Sequence, residues 1–550
     1  MHAEFPKDSR KRWLMPTAAV LLMATAAIAG YRGYAYHRAN ELAALAATGL
    51  WQPQLHFYAG PRWNNDPNGP ILLNGQYHLF YQYNPFGDQW GHMSWGHAVS
   101  SDLVHWRTLP VALPEENGVM IFNGTAVEDR HNTSGLCGSA DQEAPACLVA
   151  VYTGASKSGQ NQNVAFSRDG GNTWTKYAAN PVIDLGLKDF RDPKVFWHEP
   201  SKSWVMAVVI PDRHKVQIYR SANLTYWQLA SEFGPAGAVG GIWECPDLIE
   251  LPVRDAQGQR VGSRWMLNVN LNPGGPAGGS ASQYFVGQFD GWRFTQDHPG
   301  SGPLWADWGK DFYASTSFAN TQEDRIWIAW MSNWQYAGLV PSLPGRGEMT
   351  LARRLSLRQI DASPGTEPLA LVQEPILPVP EHRFAPDLLT VEQANAKLSS
   401  ENASGCVYEL NVTLEPGSAA EAGVRLRRSL PQADGSVEEE TVVGVDRAKG
   451  QISVDRRHSG ATSFSPDFPA RAVAPLKHPQ AGAIRLQIVV DRNSVEVFAE
   501  NGETVLTDLI YPQAASRGLA LYATGPQAGG EPARFRGVDF VSLEQPGGGK

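Results

Sequence analysis

A strand-length run, a polar turn and a tryptophan recur along this 550-residue chain between about Leu50 and Ala370. The pattern ends at Trp106 in "HAVSSDLVHW", at Trp174 in "VAFSRDGGNTW" and at Trp227 in "IYRSANLTYW", and it surrounds Trp292 in "YFVGQFDGWRF". These units stand about 50 to 70 residues apart. A fifth is supplied by "YASTSFANTQEDRIWIAWMSNW". That period suits the four-stranded blade of a β-propeller, in which each sheet is one repeat around a central channel. A β-sandwich with chance tryptophan spacing is the alternative, and the length of the region argues against it.

The chain is therefore read as all-β: a five-bladed propeller over residues 50–370, a linker over 371–390 and a β-sandwich over 391–545. The 18 Trp, 17 Tyr and 20 Phe beside 54 Gly and 39 Pro favour short strands and turns over long helices. The Pro-rich "LVQEPILPVPEHRFAPD" marks the boundary, and alternating strands such as "AIRLQIVVDRNSVEVFAENGETVLTDLIYP" follow it.

A formal charge of −9, with no basic cluster beyond the N-terminus, excludes nucleic acid as a partner and suits a neutral ligand. At the N-terminus, Lys7, Arg10, Lys11 and Arg12 precede "WLMPTAAVLLMATAAIAG". This has the form of a secretory signal over residues 1–29, with cleavage expected after Ala29. The alternative is an uncleaved membrane anchor, since an apolar run of about 17 residues is at the lower limit for spanning a bilayer. Both readings place the remainder outside the cytoplasm, secreted or periplasmic in the first case and anchored in the second. Cys137 and Cys147 bracket "CGSADQEAPAC", where a disulfide is expected in an oxidising compartment. Cys245 and Cys406 have no evident partner, and no cysteine spacing resembles a metal site.

Three acids share one local setting: Asp66 in "RWNNDPNGP", Asp192 in "KDFRDPKVFW" and Glu244 in "GGIWECPDLIE". Taken singly, these read as a type I turn, a salt-bridged turn and a strand end. In each, however, a proline follows within two residues, so the acid lies where sheet pairing stops. Inner strands of different blades converge on a propeller's channel, where the three acids would meet. Paired carboxyls there point to glycoside hydrolysis, with one protonating the leaving oxygen and the other attacking the anomeric carbon or activating water. Arg191 is expected to keep Asp192 ionised, and apolar Trp243 and Cys245 to raise the Glu244 pKa as a general acid requires.

Together "WNNDPNG", "QYNPFGDQWGHMSWGHAVSSDLVHW", "YTG", "FRDPKVFW", "WECPDL", "DFYASTSF" and "WMSNWQYA" resemble, in order and spacing, the β-fructosidases of glycoside hydrolase family 32. These are invertases, exo-inulinases and levanases, and the resemblance covers roughly residues 50 to 545. It implies a five-bladed propeller with a β-sandwich, acting with retention and without metal or cofactor. Asp66 is then the nucleophile, Glu244 the acid/base, and Asp192 with Arg191 the grip on fructose hydroxyls. Asn65, Gln82, Trp90, Asn123 and Trp334 would line the fructose pocket, and Asp311 would reach it. Three departures bear on pocket shape: Asn123 replaces a usual Ser, Asn64 a usual Met, and "WQPQLHF" lacks an Arg before its Pro. The implied activity is exo-hydrolysis of terminal β-D-fructofuranosyl units of levan, inulin and sucrose, with "NPGGPAGGSASQYFVGQFDG" closer to the microbial exo-acting enzymes than to plant invertases. A fructosyltransferase using sucrose and a non-catalytic glycan-binding propeller are the alternatives.

Overall fold

A computed structural model describes residues 47–138, 146–341, 345–360, 368–377, 387–433, 436–479, 481–526 and 530–544. The expected signal segment and residues 378–386 of the Pro-rich stretch lie outside the described residues. Among the described residues no helix is long and apolar enough to cross a membrane.

The recurring tryptophan is a turn device. Ser100 Oγ accepts the backbone N–H of Leu103, whose φ of +70° turns the chain, and the Trp106 indole N–H then donates to the Leu103 carbonyl at 3.1 Å. The same bond, three residues back, joins Trp174 to Gly171 (3.1 Å) and Trp227 to Leu224 (2.9 Å). Each ring thereby closes its own blade turn while covering apolar surface. Trp292 departs from this use: it is exposed, and the Arg220 guanidinium lies 3.7 Å from its ring centre.

The first part of the chain forms five antiparallel blades. Their inner strands are Trp63–Leu73, Met120–Glu128, Arg191–His198, Ile242–Arg254 and Tyr313–Ser317, in blades I to V respectively. The last strand of blade V, Leu369–Pro375, takes up the first five residues of the stretch expected as linker, because it pairs with Arg353–Gln359. Each inner strand contacts its neighbours on both sides, and blade V returns to blade I, so the ring closes around one channel. Blades IV and V also share a short parallel pairing, Val253 with Leu357. The second strand of blade III, "SWVMAVVI" at Ser203–Ile210, is buried throughout, which explains its near-continuous apolar run.

Every inner strand carries the same irregularity near the start of its sheet. Two residues of the inner strand face one on its neighbour: Asn65 and Asp66 opposite Gln82, Phe122 and Asn123 opposite Thr153, Asp192 and Pro193 opposite Val208, Cys245 and Pro246 opposite Val269, Ala314 and Ser315 opposite Ala329. Such a bulge bends the strand and re-aims its side chains. Proline suits two of them, Pro193 and Pro246, because the bulged residue makes no ladder bond, and in blade I Pro67 directly follows the bulge.

The β-sandwich packs a six-stranded sheet on a five-stranded one over a core of Val, Leu and Ile. One α-helix, Val391–Ser400, covers its end and starts with a capping box between Thr390 and Gln393. Propeller and sandwich meet through buried charges. Arg353 of blade V donates to Glu496 (2.5 Å) and Thr507 (2.6 Å) of the sandwich and to Asp307 (3.0 Å). His56 stands between Asp491 and Glu496 at 2.8 Å from each. Burial alone would lower its pKa, but the two carboxylates raise it to about 10, so it is an imidazolium.

Removing one member of such a network leaves the others buried and unpaired. Arg353→Met is expected to cost about 3–5 kcal/mol of stability, read as a lower urea midpoint; an unchanged midpoint would show that the junction does not depend on this cation.

Candidate active site

The five bulges bring their side chains to one mouth of the channel, where equivalent positions of successive blades touch. At the position just before the bulge stand Arg191, Glu244 and Tyr313 of blades III, IV and V. Arg191 donates through Nε (3.0 Å) and Nη2 (2.9 Å) to Glu244 Oε1, and the Tyr313 hydroxyl donates to Glu244 Oε2 at 2.5 Å. Burial pushes the Tyr313 pKa well above its usual value, so the phenol remains a donor.

At the last bulge position stand Asp66 and Asn123 of blades I and II. Asn123 Nδ2 donates to Asp66 Oδ2 at 2.7 Å, while Asp66 Oδ1 has no hydrogen-bond partner among the described residues. Burial lifts the Asp66 pKa to about 6; the Asn123 bond opposes this and the Glu244 charge adds to it. Between the acids lies Cys245, its sulfur 3.8 Å from Asp66 Oδ2 and 3.7 Å from Asp192 Oδ2. Burial first, then the surrounding carboxylates, hold this thiol well above its ordinary pKa and therefore protonated. Asp192 has a φ of +66° and accepts the Cys245 backbone N–H at 2.9 Å.

The cleft is lined by Asn65, Asp66, Gln82, Trp90, Asn123, Arg191, Asp192, Glu244 and Trp334, together with Phe122, Gln160 and Asp189. The latter three, and Tyr313 behind Glu244, are absent from the sequence reading. Equivalence between blades was the signal for Tyr313, which precedes its bulge as Glu244 precedes its own. Trp334 stacks on Trp63 at 6.0 Å, and the Trp63 indole N–H fixes Asn65 through Oδ1 at 2.7 Å. Trp90 stands half-exposed at the rim, edge-on to Phe122.

Three expectations change. Asp311 does not line the cleft: its carboxylate accepts from Arg456 Nη1 (2.5 Å), the Tyr336 hydroxyl (2.5 Å) and the Leu509 N–H (2.8 Å). Arg456 is fully buried and needs a counter-ion, so the sandwich claims this acid. Arg191 is nearer to Glu244 and Asp189 (2.9 Å) than to Asp192 (3.8 Å). Burial pushes the Asp192 pKa up and Arg191 offsets only part of that, so proximity in sequence does not hold this acid low. Glu244, finally, has a cation and a phenol for neighbours, not the apolar surroundings expected from Trp243 and Cys245. Trp243 shows why: its indole is turned away to the Ala238 carbonyl (2.9 Å), because successive strand residues face opposite sides.

The described residues Cys137 and Cys147 are joined by a disulfide, whereas Cys245 and Cys406 are free. Among the described residues no group of three or more His, Cys, Asp or Glu is arranged to hold a metal ion.

Carboxyls of distinct environment, gathered in an aromatic and amide-lined cleft at the mouth of a propeller, define a site of the glycoside-hydrolase class. Residues 56–375 match the glycosyl hydrolases family 32 N-terminal domain and residues 385–537 the family's C-terminal domain, so the chain belongs to glycosyl hydrolase family 32. It is 46% identical over 485 residues to a levanase of Bacillus subtilis, a match covering 86% of this chain and 68% of that protein. It is 39% identical over 515 residues to an extracellular exo-inulinase of Aspergillus awamori, covering 86% and 92% respectively. The crystal structure of exo-inulinase from Aspergillus awamori superposes with a TM-score of 0.77 at 38% identity, covering 90% of this chain and 98% of that one. A β-fructofuranosidase from Schwanniomyces occidentalis, complexed with fructosyl-erythritol, gives 0.76 at 34% identity and covers 88% and 97%.

Holding a buried acid at about 6 is a cost borne by the fold. The folded pKa lies above the unfolded one, so the penalty is absent below about pH 4 and complete above about pH 6, where it amounts to roughly 3 kcal/mol. Asp66→Asn is therefore expected to be more stable than the parent at pH 7 and no more stable at pH 4. Denaturation at the two pH values tests this, and a variant that loses stability at pH 7 would contradict it.

Proposed function

We propose that the protein is a retaining, exo-acting β-fructofuranosidase that releases fructose from the ends of levan and inulin and from sucrose. The observation that carries this reading is the asymmetry of the two acids: Asp66 has a single strong donor in Asn123 and one unpaired oxygen, whereas Glu244 is bonded at both oxygens. The unpaired oxygen suits a nucleophile. In the first step Asp66 forms a bond to the anomeric carbon of the fructosyl unit as the bond to the leaving oxygen breaks and Glu244 delivers its proton there. In the second, Glu244 takes a proton from water, which attacks the same carbon and frees Asp66 with retention. Asp192 and Arg191 hold fructose hydroxyls as charge develops on the ring, and Asn65, Gln82, Trp90 and Trp334 shape the pocket. Gln82 supports this part, since its Nε2 is buried with no partner among the described residues.

We further infer that the protein works outside the cytoplasm. The disulfide of Cys137 and Cys147 favours an oxidising compartment, and relatives at about 40% identity are named extracellular exo-inulinases. Levan, inulin and sucrose are then its carbohydrate partners.

The direct test is a time course of products from sucrose, inulin and levan, with Asp66→Ala alongside. Fructose as the sole early product from both polymers, absent with the variant, is expected. Longer oligosaccharides exceeding fructose would turn the reading to transfer, and binding without turnover to a glycan-binding propeller. Glu244→Gln should lose about 10²–10⁴-fold in kcat, the usual worth of a general acid; near-normal kinetics would remove the assignment.

Because Asp66 must be ionised to attack, kcat/KM should fall below about pH 6. Asn123→Ala, lacking the bond that lowers the Asp66 pKa, should move that acid limb to higher pH. A limb that stays in place would mean that it reports another group.

A further inference from the structure

The channel has a second mouth, opposite the acids, where the far ends of the inner strands of blades II to V enclose a cavity of about 690 Å³. That volume falls within the range of small-molecule sites. It shares no lining residue with the catalytic cleft. A buried polar layer separates the two: Lys194 Nζ donates to the Ser317 carbonyl (2.6 Å) and pairs with Asp247 (3.1 Å), which accepts the Ser317 N–H (2.5 Å).

The wall of this cavity is aromatic. Trp197 packs edge-on against Trp204 at 5.2 Å, and Trp265 lies against Phe196 (5.5 Å) and Phe289 (5.0 Å). Polar groups with spare capacity are set among these rings. Glu128 engages Arg130 and Asn320, both at 2.7 Å, through Oε2 alone. Glu250 takes the Ser263 hydroxyl at 2.5 Å through Oε1 alone. The Trp265 indole N–H has no partner among the described residues. Lys194 and Arg325 are already engaged, the latter with the Glu250 carbonyl at 2.9 Å. Carboxylate oxygens without a free cation disfavour an anion. Ring faces beside hydrogen-bond acceptors suit a ligand with apolar C–H surfaces and many hydroxyl donors.

We propose that this cavity is a second carbohydrate site, which holds a short stretch of neutral fructan chain away from the catalytic cleft. The inference rests on the reading of the protein as a fructan hydrolase. An exo-acting enzyme removes one unit per turnover, and a second grip on the polymer keeps it near further chain ends by raising their effective concentration.

Calorimetric titration of the full Asp66→Ala chain with a β-2,6-linked fructose trimer tests it. Two equivalents per chain are expected, one in the cleft and one in the cavity, falling to one when Trp197→Ala or Glu128→Gln is added. Retained sucrose turnover by each of these variants with Asp66 intact shows that the propeller has folded. A single equivalent that disappears in both variants would support the cavity and count against the cleft assignment. A stoichiometry that neither variant changes would overturn the inference, as would binding of tetramethylammonium in place of the trimer.

Discussion

The two-on-one bulge repeated in all five inner strands is the constraint on which the rest of the site depends. A regular strand would send alternate side chains into the neighbouring blades, leaving the channel mouth to backbone. The bulge inserts one residue, and with it a left-handed φ at Asp192 (+66°), Cys245 (+45°) and Ala314 (+53°). Conformations of that kind cost of order 1–3 kcal/mol each for residues other than glycine and persist where the surroundings over-determine them. Here the closed ring does so, since each bulge is held by the blades on either side. Gly69 shows how tight that ring is: a Cβ there would stand 2.6 Å from the Ala126 nitrogen, where the strands of blades I and II approach.

The charge arrangement follows from the same geometry. Equivalent positions of adjacent blades are neighbours, so Asn123 reaches Asp66, while Arg191 and Tyr313 reach Glu244 from its two sides. Asp66 and Asp192 are buried, and desolvation raises both of their pKa values. The protonated Cys245 thiol adds no charge between them. Stability given up at this mouth is offset elsewhere, and the junction with the sandwich offers one such place. There His56, Arg353 and Arg456 are each matched with carboxylates.

Much of this was legible in the chain because it is local. The tryptophan turns are made by bonds spanning three residues, and the prolines after Asp66, Asp192 and Cys245 mark where ladder pairing fails. The place of Asp311 is not legible, because it is set by a distant contact. Its partner Arg456 is 145 residues away on another domain, and nothing near "DFYA" announces it. The Glu244 surroundings are not legible locally, because its sequence neighbour Trp243 faces the other side of the strand and its spatial neighbours come from other blades. Tyr313 was readable in principle, as the residue before the fifth bulge, once the blades are aligned on one another.

The sequence by itself determined the repeat, the number of blades, the all-β class and the acids that stand at strand ends. These depend on side-chain period, the missing N–H of proline and short-range turn bonds, all set within a few residues. Tertiary structure alone decided which strand ends meet, which acid Arg191 holds, that Cys245 lies between Asp66 and Asp192, and that a second aromatic cavity opens at the far mouth. Those contacts join residues 53 to 179 positions apart, as for Arg191 with Glu244 and Cys245 with Asp66. They exist only because ring closure brings strands of different blades into register around a single axis.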